Sequence, residues 1–138
     1  MITQIETDLI NRLSPALTGI QVAACPDNPE NYSMVGLDGA ALIRYLSSVY
    51  VTGQELGPTA LESLDQIPGA RTLIFEIALL TRSLSTHQGV YPTLDEVIDQ
   101  LTGYCPTGAS EMLPVKDGFT SYVDGIWYHF IQFSTTVP

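Results

Sequence analysis

The sequence predicts an α+β fold in which two helices pack on one face of a mostly antiparallel β-sheet. Two segments have the apolar spacing of amphipathic helices, one near the start of the chain and one after its middle. Other segments are rich in β-branched and aromatic residues, and the last two are joined by Asp124-Gly125, a dipeptide typical of two-residue hairpin turns. One helix precedes a run of three strands, and the other separates that run from the last two strands. The predicted order is therefore α-β-β-β-α-β-β.

The first helix is predicted from Thr3 to Leu17. Thr3 and Glu6 have the spacing of a capping box, and apolar residues recur at every fourth position after them. Gly19 is expected to end the helix, and residues 20–25 then have the composition of a short strand. Residues 26–39 contain two prolines, two asparagines and two glycines, which predicts a long loop.

Two further strands are predicted before the second helix. Residues 40–51 are β-branched and aromatic, and residues 70–84 alternate with apolar side chains on both faces. The second helix is predicted from Thr93 to Thr102, because Thr93 and Glu96 repeat the capping-box spacing and Gly103 follows.

The Asp124-Gly125 turn fixes the expected register of the terminal hairpin. The predicted cross-strand partners are Val123–Ile126, Tyr122–Trp127, Ser121–Tyr128, Thr120–His129 and Phe119–Phe130. Both faces of this hairpin are then apolar or aromatic. Two helices can cover only one face of the sheet, so we expect the long loops or another protein molecule, rather than water, to cover the other.

Composition limits the possible functions. With 138 residues the chain is expected to form one domain, residues 1–138. Five basic against fifteen acidic residues give a net charge of −10, which argues against tight binding of nucleic acid. The N-terminal sequence has no basic region followed by an apolar run, and no stretch reaches the roughly 18 apolar residues of a membrane span, so we expect a cytoplasmic protein that does not enter membranes. Cys25 and Cys105 could pair, but free thiols are favoured in this setting.

No residue pattern predicts catalysis, a metal site or a cofactor. His87 and His129 lack a second ligand at metal-binding spacing. The acids Asp95, Glu96 and Asp99 lie in the first turns of a predicted helix, where they are expected to face water. A small ligand-binding or hydrolytic domain remains an alternative, and a pocket in which either histidine meets an acid would support it.

Arg44 and Glu76 are charged residues on otherwise apolar strand faces. Each therefore needs a partner. The simpler interpretation is a cross-strand ion pair within one chain, and the alternative places one of them at a subunit boundary.

Four stretches of the chain carry a family resemblance, and in order they are NYSMVGLDGAALIRYLSSVY, RTLIFEIALLTRSL, GVYPTLDEVIDQLTGY and PVKDGFTSYVDGIWYHFIQF. Together they resemble the Mu-like phage and prophage tail terminator family, whose members are encoded next to the contractile tail sheath. The matching positions are Ala40, Leu42, Arg44, Tyr45, Tyr50, Arg71, Phe75, Glu76, Arg82, Leu94, Leu101, Gly103, Gly118, Phe119, Asp124, Gly125 and Trp127.

The resemblance implies a non-enzymatic virion protein that forms a hexameric ring at the head-proximal end of the tail tube. Its implied partners are further copies of itself, the tail tube and sheath proteins, and a neck protein. Another head–tail connector or tail-completion protein is the alternative within the same biology. Candidate subunit or partner contacts are Trp127, Tyr122, Arg44, Glu76 and Arg82. Because a lumen that passes DNA should repel phosphate, Glu55, Glu62 and Asp65 are the first candidates to line it, followed by Asp27, Glu30 and Asp38. The alternative is that these acids are ordinary solubilising charges on the outer wall of the ring.

Overall fold

A computed structural model describes residues 1–29, 32–50 and 70–138, which form two helices and a five-stranded sheet. The elements are α1 (Ile2–Leu13), β1 (Gln21–Ala24), β2 (Gly39–Tyr50), β3 (Arg71–Thr81), α2 (Val90–Leu101), β4 (Leu113–Val123) and β5 (Ile126–Val137). The sheet order is β1-β2-β3-β5-β4. Among these described strands, only the β1–β2 pairing is parallel. The predicted α+β class and the order of elements are confirmed.

Both helices pack on one face of the sheet, which we call the helix face. Alternate residues of β3 point toward the helices and are fully buried: Leu73, Phe75, Ile77 and Leu79. They meet an apolar stripe of α1 at Ile5, Leu9 and Leu13, and Val97 and Leu101 of α2. Burying each of these side chains contributes about 1.5–3 kcal/mol, so this layer holds the helices to the sheet.

The predicted capping boxes are wrong at both helices. α1 begins at Ile2, and the Ile5 amide already donates to the carbonyl of Met1, so Thr3 lies inside the helix rather than at its cap. The cap residue of α2 is Gly89, and Thr93 is a buried residue of its first turn. A capping box requires its first residue outside the helix, and in each case the chain turns helical before that residue.

α1 also ends earlier than predicted, at Leu13 rather than Leu17. Pro15 has no N–H with which to continue the helical hydrogen bonds. The chain instead makes a turn in which the amides of Ala16 and Leu17 donate to the carbonyl of Leu13. Leu17 still reaches the core, which explains why its spacing matched the helical stripe.

The other face of the sheet, which we call the open face, is covered in part by the chain's own loop. Met34 of the loop packs in a second apolar cluster with Leu42 and Leu80. Arg82 holds this loop in place, because its Nε donates to the carbonyl of Leu37 at 2.9 Å and its Nη2 to that of Met34 at 2.7 Å. The expectation that a long loop covers part of this face therefore agrees with the structure.

The terminal hairpin has the predicted turn but not the whole predicted register. Asp124 and Gly125 have φ angles of 52° and 79°, as a type I′ turn requires. The pairs Val123–Ile126, Tyr122–Trp127 and Ser121–Tyr128 are confirmed. A β-bulge at Thr120 then shifts the strand by one residue, so that Phe119 pairs with His129 and Gly118 with Phe130. The predicted Phe119–Phe130 and Thr120–His129 pairs are wrong because a bulge places two residues opposite one.

Two further features bear on function. Cys25 and Cys105 are both free thiols, and Cys105 is exposed. Within the described residues, neither helix is long and apolar enough to span a membrane.

Candidate interaction surfaces

Four side chains form an aromatic cluster on the helix face of the β4–β5 hairpin: Phe119, Tyr122, Trp127 and His129. The ring centroids of Tyr122 and Trp127 are 4.4 Å apart, and those of Phe119 and His129 are 5.4 Å apart. Core residues of β5 begin only at Ile131, so the cluster lies beyond the part of the sheet that the helices cover. Phe119 and Tyr122 remain 57% and 55% exposed. Half-exposed aromatic side chains are typical of the centres of protein interfaces.

Two of the predicted contact residues, Trp127 and Tyr122, belong to this cluster. Trp127 is half-buried within the single chain, which leaves part of its ring open to a neighbouring molecule. The cluster also contains Phe119, which strict alternation had placed on the opposite face. The bulge at Thr120 brings Phe119 round to the side of Trp127, where their centroids are 6.1 Å apart. Composition gives no signal for this bulge.

His129 lies at the inner end of the aromatic cluster. Its Nδ1 atom is buried and has no hydrogen-bond partner among the described residues. Desolvation lowers the pKa of His129, and the nearby charge of Asp117 opposes this effect. The ring is therefore neutral near pH 7 and acts as an aromatic surface rather than as a cation.

The β4 strand forms one edge of the sheet, yet it is poorly suited to pairing with another strand. Pro114 lacks an N–H, and Lys116 places a charge in the strand. Register shifts interrupt the strand between Pro114 and Lys116 and again between Phe119 and Ser121. These features are typical of edges protected against sheet extension. A partner on this side is therefore expected to bind side-chain faces rather than the strand edge.

Arg44 and Glu76 are direct cross-strand partners on the open face. Arg44 donates from Nη2 to Glu76 Oε1 at 2.8 Å and from Nε to the same oxygen at 3.2 Å. The second carboxylate oxygen accepts from Gln132 at 3.0 Å. The Arg44 side chain is 51% exposed and that of Glu76 is 14% exposed. The interpretation as an ion pair within one chain is therefore correct, and the guanidinium faces outward.

A groove of about 390 Å³ lies on the open face between the 25–29 loop segment and the hairpin. Its floor is apolar, and residues that line it include Leu42, Ala78, Leu80 and Phe130. Arg44 and Glu76 line the same groove. The Nζ of Lys116, the only lysine of the chain, lies 5.9 Å from the centroid of the Phe130 ring. The groove thus combines an apolar floor with two nearby cations.

The remaining predicted contact residues are placed as follows. Arg82 binds the loop carbonyls described above, so its guanidinium holds the covering of the open face. Glu55, Glu62 and Asp65 lie outside the described residues, as does Glu30. Asp27 and Asp38 are exposed.

The features expected of a hydrolytic site are incomplete in the described part of the chain. His87 and Glu96 line a pocket of about 300 Å³ between the turn after α1 and the start of α2. Glu96 accepts a hydrogen bond from Gln100, and no hydrogen bond between described residues joins His87 to an acid. Asp95 and Asp99 face solvent, as predicted. Within residues 1–29, 32–50 and 70–138, no three His, Cys, Asp or Glu side chains are grouped closely enough to hold a metal ion.

A family model described as Gp37 protein matches residues 9–138, which include every strand of the sheet and the whole of α2. The chain belongs to the Gp37 protein family. Among curated proteins, no relative matches the chain.

Gp37 is a phage-associated family, and membership makes this chain a phage protein. The family match contains the aromatic cluster, the open-face groove and the loop that Arg82 holds. The expectation of a phage protein is thus confirmed. The family match does not by itself distinguish a tail terminator from other phage proteins.

Proposed function

We propose that this Gp37 protein is a non-enzymatic virion protein that terminates the tail of a contractile-tailed phage. Six copies associate head to tail into a closed ring at the head-proximal end of the tail tube. The ring contacts the tube and sheath proteins below it and a neck protein above it. It is assembled in the host cytoplasm and remains in the mature tail.

The observation that carries this proposal is the aromatic cluster of the hairpin. Phe119, Tyr122 and Trp127 present a continuous aromatic surface that the helices do not reach. Aromatic residues bury about 150–250 Å² each and dominate the energetics of interfaces, so a protein rarely leaves three of them together without a partner. The protected β4 edge supports association through this face, since continuous sheet extension would give an open fibre.

The acid excess is consistent with a ring around a DNA channel. A net charge of −10 disfavours retention of phosphate, so such a ring lets the genome pass without holding it. Another connector or tail-completion protein is the alternative, and it differs in the structure to which the ring attaches. The aromatic cluster favours a partner-binding role over a hydrolytic one, because it contains no hydrogen-bonded acid–histidine pair.

Tail tubes polymerised from the tube protein of the same phage provide the test. We expect this protein to shorten the tubes, and electron microscopy to show a ring on one end of each tube. A Phe119→Ser/Tyr122→Ser variant should lose both effects, and Asp95→Ser on the distant surface of α2 should keep them. Unchanged tube lengths together with binding to neck complexes would favour the connector alternative. No binding to either structure would refute a role at the head–tail junction.

A further inference from the structure

We propose that the hairpin turn of one copy docks in the open-face groove of the next copy, where Asp124 pairs with Arg44. This inference rests on the proposed ring, and it adds to the aromatic cluster a second pair of surfaces that meet between neighbouring copies. The occupant of the groove is thus the Val123-Asp124 segment of a second copy of this chain.

The turn is a compact segment, in keeping with the small volume of the groove. It is a two-residue type I′ turn, so the segment that enters is only two strands wide. The groove has a volume of about 390 Å³, enough for a few side chains. Val123 is 51% exposed at the turn and supplies an apolar group for the groove floor.

The charges of the two surfaces are complementary. Acids outnumber bases fifteen to five in this chain, so a cationic surface is unusual in it. Arg44 uses Nε and Nη2 to bind Glu76, which leaves Nη1 for an incoming carboxylate. Both oxygens of Glu76 accept hydrogen bonds within the chain, so the acid is shielded while the guanidinium is exposed. Lys116 adds a second positive charge beside Phe130. An exposed acid such as Asp124 is therefore the expected partner.

The turn cannot occupy the groove of its own chain. Ile126 to Val137 form one continuous strand, and Tyr128 and Phe130 at its start line the groove. The turn points away from that groove along the strand direction. The contact must therefore join two copies, and where the turn of each copy enters the groove of the next copy without a reciprocal contact, it is heterologous. Heterologous contacts form rings when the rotation closes.

Two variants separate the two surfaces. Val123→Lys/Asp124→Asn places a cation opposite Arg44 and keeps a residue that tolerates positive φ. Ala78→Trp fills the groove from a half-exposed strand position. Asp95→Lys is the charge-matched control for the first variant, since each changes the net charge by the same amount. Ser134→Trp, on the open face but not among the groove residues, is the control for the second.

The assembly of each purified variant is measured by analytical ultracentrifugation, with circular dichroism to verify folding. We expect the turn and groove variants each to raise the concentration needed for assembly at least about tenfold, and both controls to assemble like the parent. A mixture of the two defective variants retains one intact turn and one intact groove. It should therefore form 1:1 dimers and nothing larger. If Ala78→Trp does not fold, Arg44→Gln provides the groove variant.

Two results overturn the proposal. If the parent forms rings and both defective variants do so at the same concentration, the subunits meet elsewhere, and the ring itself stands. If either defective variant forms dimers alone, and mixing the two variants adds no further dimers, the contact between copies is symmetric instead. A parent that stays monomeric would refute both this contact and the ring.

Discussion

Substitution of Gly125 by valine tests the hairpin that carries both proposed contacts. Gly125 has a φ of 79°, and a Cβ added there would meet no atom within 4 Å. The cost is therefore backbone strain alone, about 1–2 kcal/mol for an L-residue in the left-handed region. A stiffer unfolded chain returns roughly 0.4–1 kcal/mol of this. We expect a net loss of about 1 kcal/mol, or a melting temperature lower by about 4 °C for a chain of this size.

The assay is thermal and urea unfolding followed by circular dichroism. Gly125→Asn is the matched control, because asparagine tolerates this backbone conformation, and it should unfold close to the parent. Equal stability of the valine variant and the parent would show that residue 125 does not have positive φ. The type I′ turn, and the aromatic cluster that depends on its register, would then be wrong.

Three other predictions concern side chains. In a double-mutant cycle measured by urea unfolding, Arg44→Ala and Glu76→Ala should show a coupling free energy of about 0.5–1 kcal/mol. The coupling is small because half of the Arg44 side chain is exposed to solvent, and zero coupling would contradict the ion pair. Burial lowers the pKa of His129 below its usual value of about 6.5, so the unfolded chain takes up this proton first as the pH falls. Stability should therefore decrease below about pH 6.5, and His129→Phe should reduce this decrease, whereas an identical pH profile would argue against burial. Arg82→Lys loses the paired hydrogen bonds to two loop carbonyls, so the loop should expose Met34, which is buried in the parent. Peroxide should then oxidise Met34 several-fold faster, and an unchanged rate would argue that Arg82 does not hold the loop.

The sequence was sufficient to predict those features that depend on local pattern. The alternation of apolar residues in β3 and the Asp124-Gly125 turn each have a single favourable structural solution, and both agree with the structure. The capping boxes failed because Thr-x-x-Glu spacing also occurs inside helices, and only the start of the hydrogen-bond ladder distinguishes the two cases.

The candidate site was predictable only in part. Arg44 and Glu76 could be matched from their alternation with apolar neighbours, since buried charges need partners. Phe119 could not be placed, because a bulge changes the face of every residue on one side of it without changing the composition. The groove also escaped prediction, because it depends on how the loop held by Arg82 lies across strands that are distant in the sequence.

Native mass spectrometry of the untagged protein tests the central claim of a self-assembling ring most directly. We predict a single closed oligomer at six times the 15.0 kDa mass of the chain, with no continuous series of larger species. The oligomer should be lost in Phe119→Ser/Tyr122→Ser and kept in Asp95→Ser. A parent protein that remains monomeric at every concentration up to the millimolar range would contradict the account.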